Sequence, residues 1–242
     1  MIVIPARLHS SRLPKKALEM IGDTPMIVKV AKIAKEIDTT IVATDAIEIE
    51  EVCRAHNIES VMTKSSIPSG TLRVYEAVRK LRLEDDEIVI NLQGDEPFME
   101  KEVILALKNS LEDALNSKKE LFMASCYKKI TKEEAQDPSL VKVVINNLQE
   151  ALYFSRSVIP YDRDEIGVEY LGHLGIYGFY AKTLKEFCNL KESPLENIEK
   201  LEQLRALSHG KNIKMIEVKS QSFGIDTSFD LKKAREIVQN GG

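Results

Sequence analysis

With 242 residues and 43% hydrophobic content, the chain can bury a sizeable core, which excludes wholesale disorder. A formal charge of −4, from 34 Lys and Arg against 38 Asp and Glu, argues against a general nucleic-acid binder, which needs a basic face. No apolar run approaches the roughly 18 residues of a membrane span, residues 1–4 are too short for a secretory signal, and Cys53, Cys126 and Cys188 are scattered thiols rather than a disulfide frame or a zinc site. These features predict a cytoplasmic protein with no membrane insertion.

The opening stretch, MIVIPARLHSSRLPKKAL, is the most informative. Residues 1–4 read as a short buried strand that Pro5 ends. The loop behind it carries Arg7, Arg12, Lys15 and Lys16 around Ser10 and Ser11, with no acid before Glu19. Hydroxyls, amides and fixed positive charge suit a polyanion such as a triphosphate; a solvated basic loop is the alternative. Asp23-Thr24-Pro25 predicts a helix start, with Thr24 as the cap and Pro25 at the first helical position. Met26, Ile27, Val30, Ile33, Ala34 and Ile37 then share one helical face. A β-branched strand over 40–44, a helix through Ile49, Val52 and Cys53, and a strand over 60–63 follow. This alternation predicts a parallel sheet with helices on its faces and ligands at the carboxyl ends of its strands. No G-x-G-x-x-G follows the first strand, which disfavours a nicotinamide or flavin enzyme.

Ser69-Gly70-Thr71, before a helix with Tyr75, Val78 and Leu81 on one face, reads as an ordinary N-cap, with an anion site as the alternative. The strand EIVINL, over 87–92, runs into Gln93-Gly94-Asp95-Glu96-Pro97. A carboxylate there is placed to hold magnesium beside phosphates; a plain turn is the alternative. Residues 100–115 predict a helix, 122–126 a strand, 131–136 a charged helical turn, and 140–145 a strand whose Lys142 should face outward. A strand over 151–155 leads to Arg156. In 171–178, three glycines signal close backbone approach or a bulge, and the even spacing of His173 and Tyr177 puts both on one face. With Arg156 they form a candidate pocket for a carboxylated sugar; a satisfied structural histidine is the alternative. Ser193, Pro194 and Glu196 predict a capped helix with Leu195, Ile198, Leu201, Leu204 and Leu207 on its core face, Glu196, Glu199, Lys200, Glu202 and Arg205 in solvent, and Gly210 at its end. After a strand over 213–218, Gly224-Ile225-Asp226-Thr227 opens the last helix, with Leu231, Ala234 and Ile237 inward. Asp226 by itself reads as a helix-start residue.

The segment IPARLHSSRLPKKAL resembles the opening motif of the cytidylyltransferases that activate acidic sugars with CTP. QGDEP, ALYFSR, HLGIYG, SPLENIEKLEQLR and GIDT resemble further motifs of that family, in particular of members acting on 3-deoxy-D-manno-octulosonate (Kdo). The resemblance runs from Pro5 to about Leu231. It implies a Rossmann-like α/β fold of the nucleotide-diphospho-sugar transferase type, a mixed, mostly parallel sheet flanked by helices. It implies one domain over 1–242, with 150–180 contributing sugar-site strands and a dimerisation arm. Lys16, Asp95 and Asp226 are the implied catalytic residues, the two aspartates as magnesium ligands. The implied CTP contacts are Ala6, Arg7, Arg12, Lys16, Ser69, Arg73 and Gln93; the implied sugar contacts are Gln93, Arg156, His173, Tyr177, Glu202 and Gln203. Lys15 departs from the family, which commonly has Gly there, so the catalytic amine is placed at Lys16 and Lys15 is a solvated neighbour. Ile67 and Leu72 stand where the family has His and an acid around its S-G-T-x-R segment. The implied reaction transfers CMP from CTP to Kdo and releases pyrophosphate, activating Kdo for lipopolysaccharide synthesis. CTP, Kdo, Mg2+ and a second copy in a homodimer are the implied partners, with no nucleic acid. The rivals are a sialate-activating synthetase or other nucleotidyltransferase, and a nucleotide-binding regulator without turnover.

Overall fold

The computed structural model describes residues 1–10 and 12–240; Ser11, one of the loop hydroxyls, lies outside the described residues. The chain divides into two units, one of Met1–Leu83, Val89–Ile104 and Gln221–Gly242, the other of Glu84–Ile88 and Leu105–Ser220.

In the first unit, strand β1 (Ile2–Ala6) is buried along its whole length. A short antiparallel pair, β2 (Met20–Ile21) and β3 (Thr24–Pro25), precedes helix α1 (Met26–Lys35). The helix starts at Met26 with Pro25 at the N-cap position, so neither the expected Thr24 cap nor Pro25 as first helical residue is found. Thr24 belongs to β3 instead, and its hydroxyl donates to Asp23 Oδ1 at 2.8 Å. β4 (Thr40–Thr44), α2 (Ile47–Ala55), β5 (Glu59–Met62), α3 (Gly70–Leu81) and β6 (Ile88–Leu92) follow, and α4 (Lys101–Asn116) begins in this unit and passes into the second at Leu105. β6, β1, β4 and β5 lie in that order with parallel pairing. Pro5 does not end β1. The β6 ladder stops at Val3–Asn91, so Pro5 can continue opposite Ala43 of β4 without donating on the β6 side. The chain steps from β1 to β4 and β5, then returns past β1 to β6. The carboxyl ends of β1 and β6 therefore flank a topological switch point, where connections diverge and leave room for a ligand.

In the second unit, β7 (Met123–Ile130) precedes α5 (Lys132–Ala135), β8 (Lys142–Ile145), β9 (Ala151–Ser155), β10 (Tyr170–Tyr180), α6 (Ala181–Asn189), α7 (Pro194–Glu199), α8 (Leu204–Ser208) and β11 (Ile213–Glu217). β7 pairs parallel with β11 and antiparallel with β10, and β8 pairs antiparallel with β10 and β9. The glycine signal in β10 marks both close approach and a bulge. A Cβ on Gly172 would stand 2.8 Å from Ile130 Cγ2, and the β7 register slips between Leu174 and Tyr177. The slip inserts an even number of residues, so His173 and Tyr177 stay on one face, with ring centroids 5.6 Å apart.

Two expectations fail in this unit. Lys142 is fully buried, not outward-facing. The leucine-rich stretch after Ser193 is two short helices, not one. Lys200, at φ 55°, turns left-handed and ends α7, so Leu195 and Ile198 are 42% and 76% exposed while Glu196 and Arg205 are buried. The apolar periodicity runs on through the break, and a two-point ion pair overrides it: Arg205 Nε and Nη2 donate to Glu196 Oε2 and Oε1 at 2.8 and 2.5 Å. Gly210, at φ +69°, ends α8 as expected. The last helix, α9 (Ser228–Gln239), returns to the first unit with Thr227 as its N-cap. Among the described residues no helix is long and apolar enough to cross a membrane. The α/β class and the mixed, mostly parallel, helix-flanked sheet are as the sequence predicts.

Candidate active site

In the first unit, three distant segments meet at the β1/β6 switch point. The Ile225 N–H donates to the Asp95 carbonyl at 2.9 Å, drawing the 224–227 segment against the turn after β6. Glycine permits the approach: a Cβ on Gly94 would stand 3.0 Å from the Pro5 carbonyl oxygen, and one on Gly224 3.4 Å from Glu96 Oε1. Beneath the turn, Leu13, Ile21, Met26, Ile225 and Leu231 share one apolar cluster, with Phe98 and Phe223 packed on it. Each large side chain so buried contributes about 1.5–3 kcal/mol, enough to hold loops in register. The cluster thereby anchors the segments that carry Lys16, Asp95 and Asp226.

The Lys16 ammonium sits between the two aspartates, 2.5 Å from Asp95 Oδ2 and 2.9 Å from Asp226 Oδ1. Arg12 Nη2 pairs with Asp226 Oδ2 at 3.0 Å. Burial opposes the charge on Lys16, but attraction and hydrogen bonding from Asp95 and then Asp226 outweigh it, and its pKa is raised. Burial likewise works against ionised Asp226, and Lys16 and Arg12 overcome it, so its pKa is lowered. Asp226 does not cap α9: Thr227 accepts from the Asp230 N–H and Asp230 accepts from the Thr227 N–H, which frees the Asp226 carboxylate for Lys16. Lys15 has φ 54° and ψ 29°, the left-handed conformation suited to glycine, and its side chain is exposed.

The other expected CTP contacts divide. Ala6 ends β1, and Arg7 is exposed just beyond it, paired with neither carboxylate among the described residues. The Ser69 hydroxyl caps α3, accepting from Leu72 N–H at 3.3 Å, the ordinary N-cap. Arg73 is only 3% exposed, its guanidinium committed to Asp45 Oδ2 at 2.8 Å and to the Thr63 hydroxyl. The structure therefore gives Arg73 a role in bracing the end of β4, not an open charge. Gln93 donates to Asn91 Oδ1 at 3.1 Å, and the fully buried Asn91 donates to Thr71 at 3.2 Å. Asn91 belongs to no motif; its signal in the sequence is one amide in an otherwise apolar strand.

The second unit brings His173, Tyr177 and Gln203 together. The Tyr177 hydroxyl donates to Gln203 Oε1 at 3.1 Å. The Gln203 Nε2 is buried and has no acceptor among the described residues. His173 Nε2 lies 2.8 Å from the Ser125 hydroxyl, which donates to the Ile176 carbonyl at 2.7 Å. One hydroxyl proton cannot serve both, so Nε2 carries the imidazole proton. Burial pulls the His173 pKa down to about 3, keeping the ring neutral. Burial, and then Glu202, push the Tyr177 pKa up. Glu202 is half-buried beside Gln203 in the chain. Arg156 Nε and Nη1 donate to the carbonyls of Glu199 and Pro138 at 2.8 and 3.0 Å. Ser125, which satisfies the bulge carbonyl, also escaped sequence reasoning because its partners are brought to it only by the sheet.

A nucleotidyltransferase-type sheet with a cationic loop and paired carboxylates at its switch point defines the class, and the comparisons define the family. The family model described as Cytidylyltransferase matches residues 1–213, and the chain belongs to that family. It is 54% identical over 240 residues to the 3-deoxy-manno-octulosonate cytidylyltransferase of Wolinella succinogenes, covering 98% of each chain. It is 51% identical over 241 residues to the protein of that name from Helicobacter acinonychis, covering 98% of this chain and 97% of the relative. A solved structure of CMP:2-keto-3-deoxy-manno-octonic acid synthetase complexed with CTP superposes with a TM-score of 0.92 at 40% identity, over 99% of this chain and 98% of that one.

Proposed function

We propose that this chain transfers CMP from CTP to Kdo and releases pyrophosphate. One observation carries the chemistry: the convergence of Lys16, Asp95 and Asp226 from three segments at the β1/β6 switch point. Family membership and the named relatives point to the same reaction. A Kdo hydroxyl forms the new bond to the α-phosphorus as the bond to the pyrophosphate oxygen breaks, and the hydroxyl proton passes to solvent. Charge gathers on the α-phosphoryl oxygens and the leaving group. Arg7, Arg12 and Lys16 supply the opposing charge, so the protein's work is positioning and electrostatics.

The residues also fit magnesium. Two carboxylates converge on one cation position, which the Lys16 ammonium takes. Among the described residues no group of three His, Cys, Asp or Glu forms a closed cage. Magnesium commonly takes one or two carboxylates and completes its shell with phosphate oxygens and water. Asp95 and Asp226 would hold the ion, which when bound would offset the phosphoryl charge. On the sugar side, Gln203 Nε2 supports a hydroxyl contact, His173 Nδ1 is a neutral acceptor, and the Arg156 guanidinium suits the Kdo carboxylate. Glu202, beside Gln203 in the chain, completes this set. Leu152, Tyr161 and Ile166, exposed at 60, 86 and 83%, support a homodimer through the 150–180 arm. We place the reaction in the cytoplasm.

The test is pyrophosphate release from CTP with Kdo, with and without magnesium, against sialic acid and against other triphosphates. Activity restricted to CTP and Kdo supports the assignment. CTP binding with no release for any acidic sugar would instead favour a regulator.

A further inference from the structure

The fully buried Lys142 is unexplained by strand packing, since an apolar side chain would fill its place without desolvating a charge. Its ammonium has three N–H groups and three acceptors, all backbone carbonyls: Leu140 and Arg156 at 2.7 Å and Asp137 at 2.9 Å. Those acceptors are pieces of one construction. Arg156 is held from both sides, with its carbonyl on Lys142 and its N–H on Glu199 Oε2 at 3.0 Å. Glu199 is itself tied by the Ser155 hydroxyl, which donates to Oε1 at 2.6 Å. The 137–140 turn, gathered by Lys142 at both ends, contains the Pro138 carbonyl that accepts from Arg156 Nη1. The guanidinium is thus fixed along Nε and Nη1 by neutral carbonyls, and Nη2 donates to none of the described residues. Carbonyls orient an arginine without cancelling its charge, which leaves one edge ready for a carboxylate.

We infer that Lys142 is a positioning residue for recognition of the sugar's carboxylate: it sets the Arg156 backbone and the 137–140 turn, and through them the direction of the guanidinium. The inference rests on the reading above that Arg156 meets the Kdo carboxylate. A lysine suits the task because one ammonium can draw three carbonyl oxygens together, which no apolar side chain can do.

Lys142→Met keeps the length and loses the donors. The KM for Kdo should rise about tenfold or more, the KM for CTP should stay within about twofold, and the far-ultraviolet circular dichroism should be unchanged. Arg156→Ala should raise the KM for Kdo at least as far, and the double variant should be no worse than Arg156→Ala alone. An unchanged KM for Kdo in Lys142→Met, or additive effects in the double variant, would overturn the proposal while leaving the Arg156 reading in place. An unchanged KM for Kdo in Arg156→Ala would overturn both. If Lys142→Met does not fold, Lys142→Gln, which keeps two donors, is measured in the same way. Collapse of both assigns Lys142 to folding alone and overturns the positioning role.

Discussion

The two units handle polar groups in opposite ways. At the switch point of the first, charged groups pair and stay partly wet: Lys16 meets Asp95 and Asp226, Arg12 meets Asp226, and Asp226 and Arg12 are 45 and 65% exposed. In the second, the grouped polar residues are buried and largely neutral. His173 is held uncharged, Tyr177 is held protonated, and Gln203 is closed off from solvent. A triphosphate demands compensating charge that can be exchanged when it arrives. A sugar is distinguished by the direction of its hydroxyls, and neutral hydrogen bonds shielded from water discriminate direction best. On the proposed function, the difference between the units is a difference between neutralising a ligand and reading its shape.

The largest test strikes an exception in the second unit, its buried ion pair. Arg205→Met should lower the unfolding free energy in urea by about 3–5 kcal/mol, because Glu196 is left buried without its guanidinium partner. The double variant Glu196→Leu/Arg205→Met should recover most of that loss; failure to recover would mean the pair is indispensable to the turn at Lys200. Next, Asp95→Asn should cut turnover in the pyrophosphate assay by roughly 100-fold or more with the fold retained. Near-normal turnover would remove the ionic centre from the mechanism.

The neutrality of His173 gives the third. Its pKa falls from 6.5 unfolded to about 3 folded, so the unfolded chain binds the extra proton first. Stability from this group is complete above about pH 6.5 and drains away as pH falls toward about 3, by a few kcal/mol in all on the order of 1.4 per unit. Melting temperatures across that range should fall less steeply in His173→Gln than in the parent. The smallest effect belongs to the cationic loop. Lys15→Gly relieves a left-handed backbone and should stabilise by roughly 0.5–1 kcal/mol, with turnover unchanged, since the exposed Lys15 side chain is outside the carboxylate cluster. A drop in turnover would bring Lys15 into the site.

Most strands and helices are legible because each has its own local signal: a β-branched run at 40–44, an apolar and aromatic run at 151–155, and the Ser193, Pro194 and Glu196 cap. The misreadings share a cause. Periodicity reports which residues are apolar, not whether the backbone stays helical, so the leucine pattern ran across the turn at Lys200. In a sequence, charge reads as solvent exposure and turns Lys142, Glu196 and Arg205 outward, although carbonyls and a two-point carboxylate hold them inside. Arg73, a CTP contact by resemblance, is held in the fold by Asp45 and Thr63, a bracing that no local pattern announces.

The amino-acid sequence alone determined the alternating α/β order, the basic loop and each separate carboxylate, because these are properties of neighbours along the chain. Only the tertiary structure decided that Asp95 and Asp226 share one lysine, that Asp226 is released from capping by Thr227, and that a lysine lies buried behind Arg156. Such meetings depend on sheet order, on glycines that admit close backbone approach and on apolar clusters between distant segments, and no local pattern encodes them.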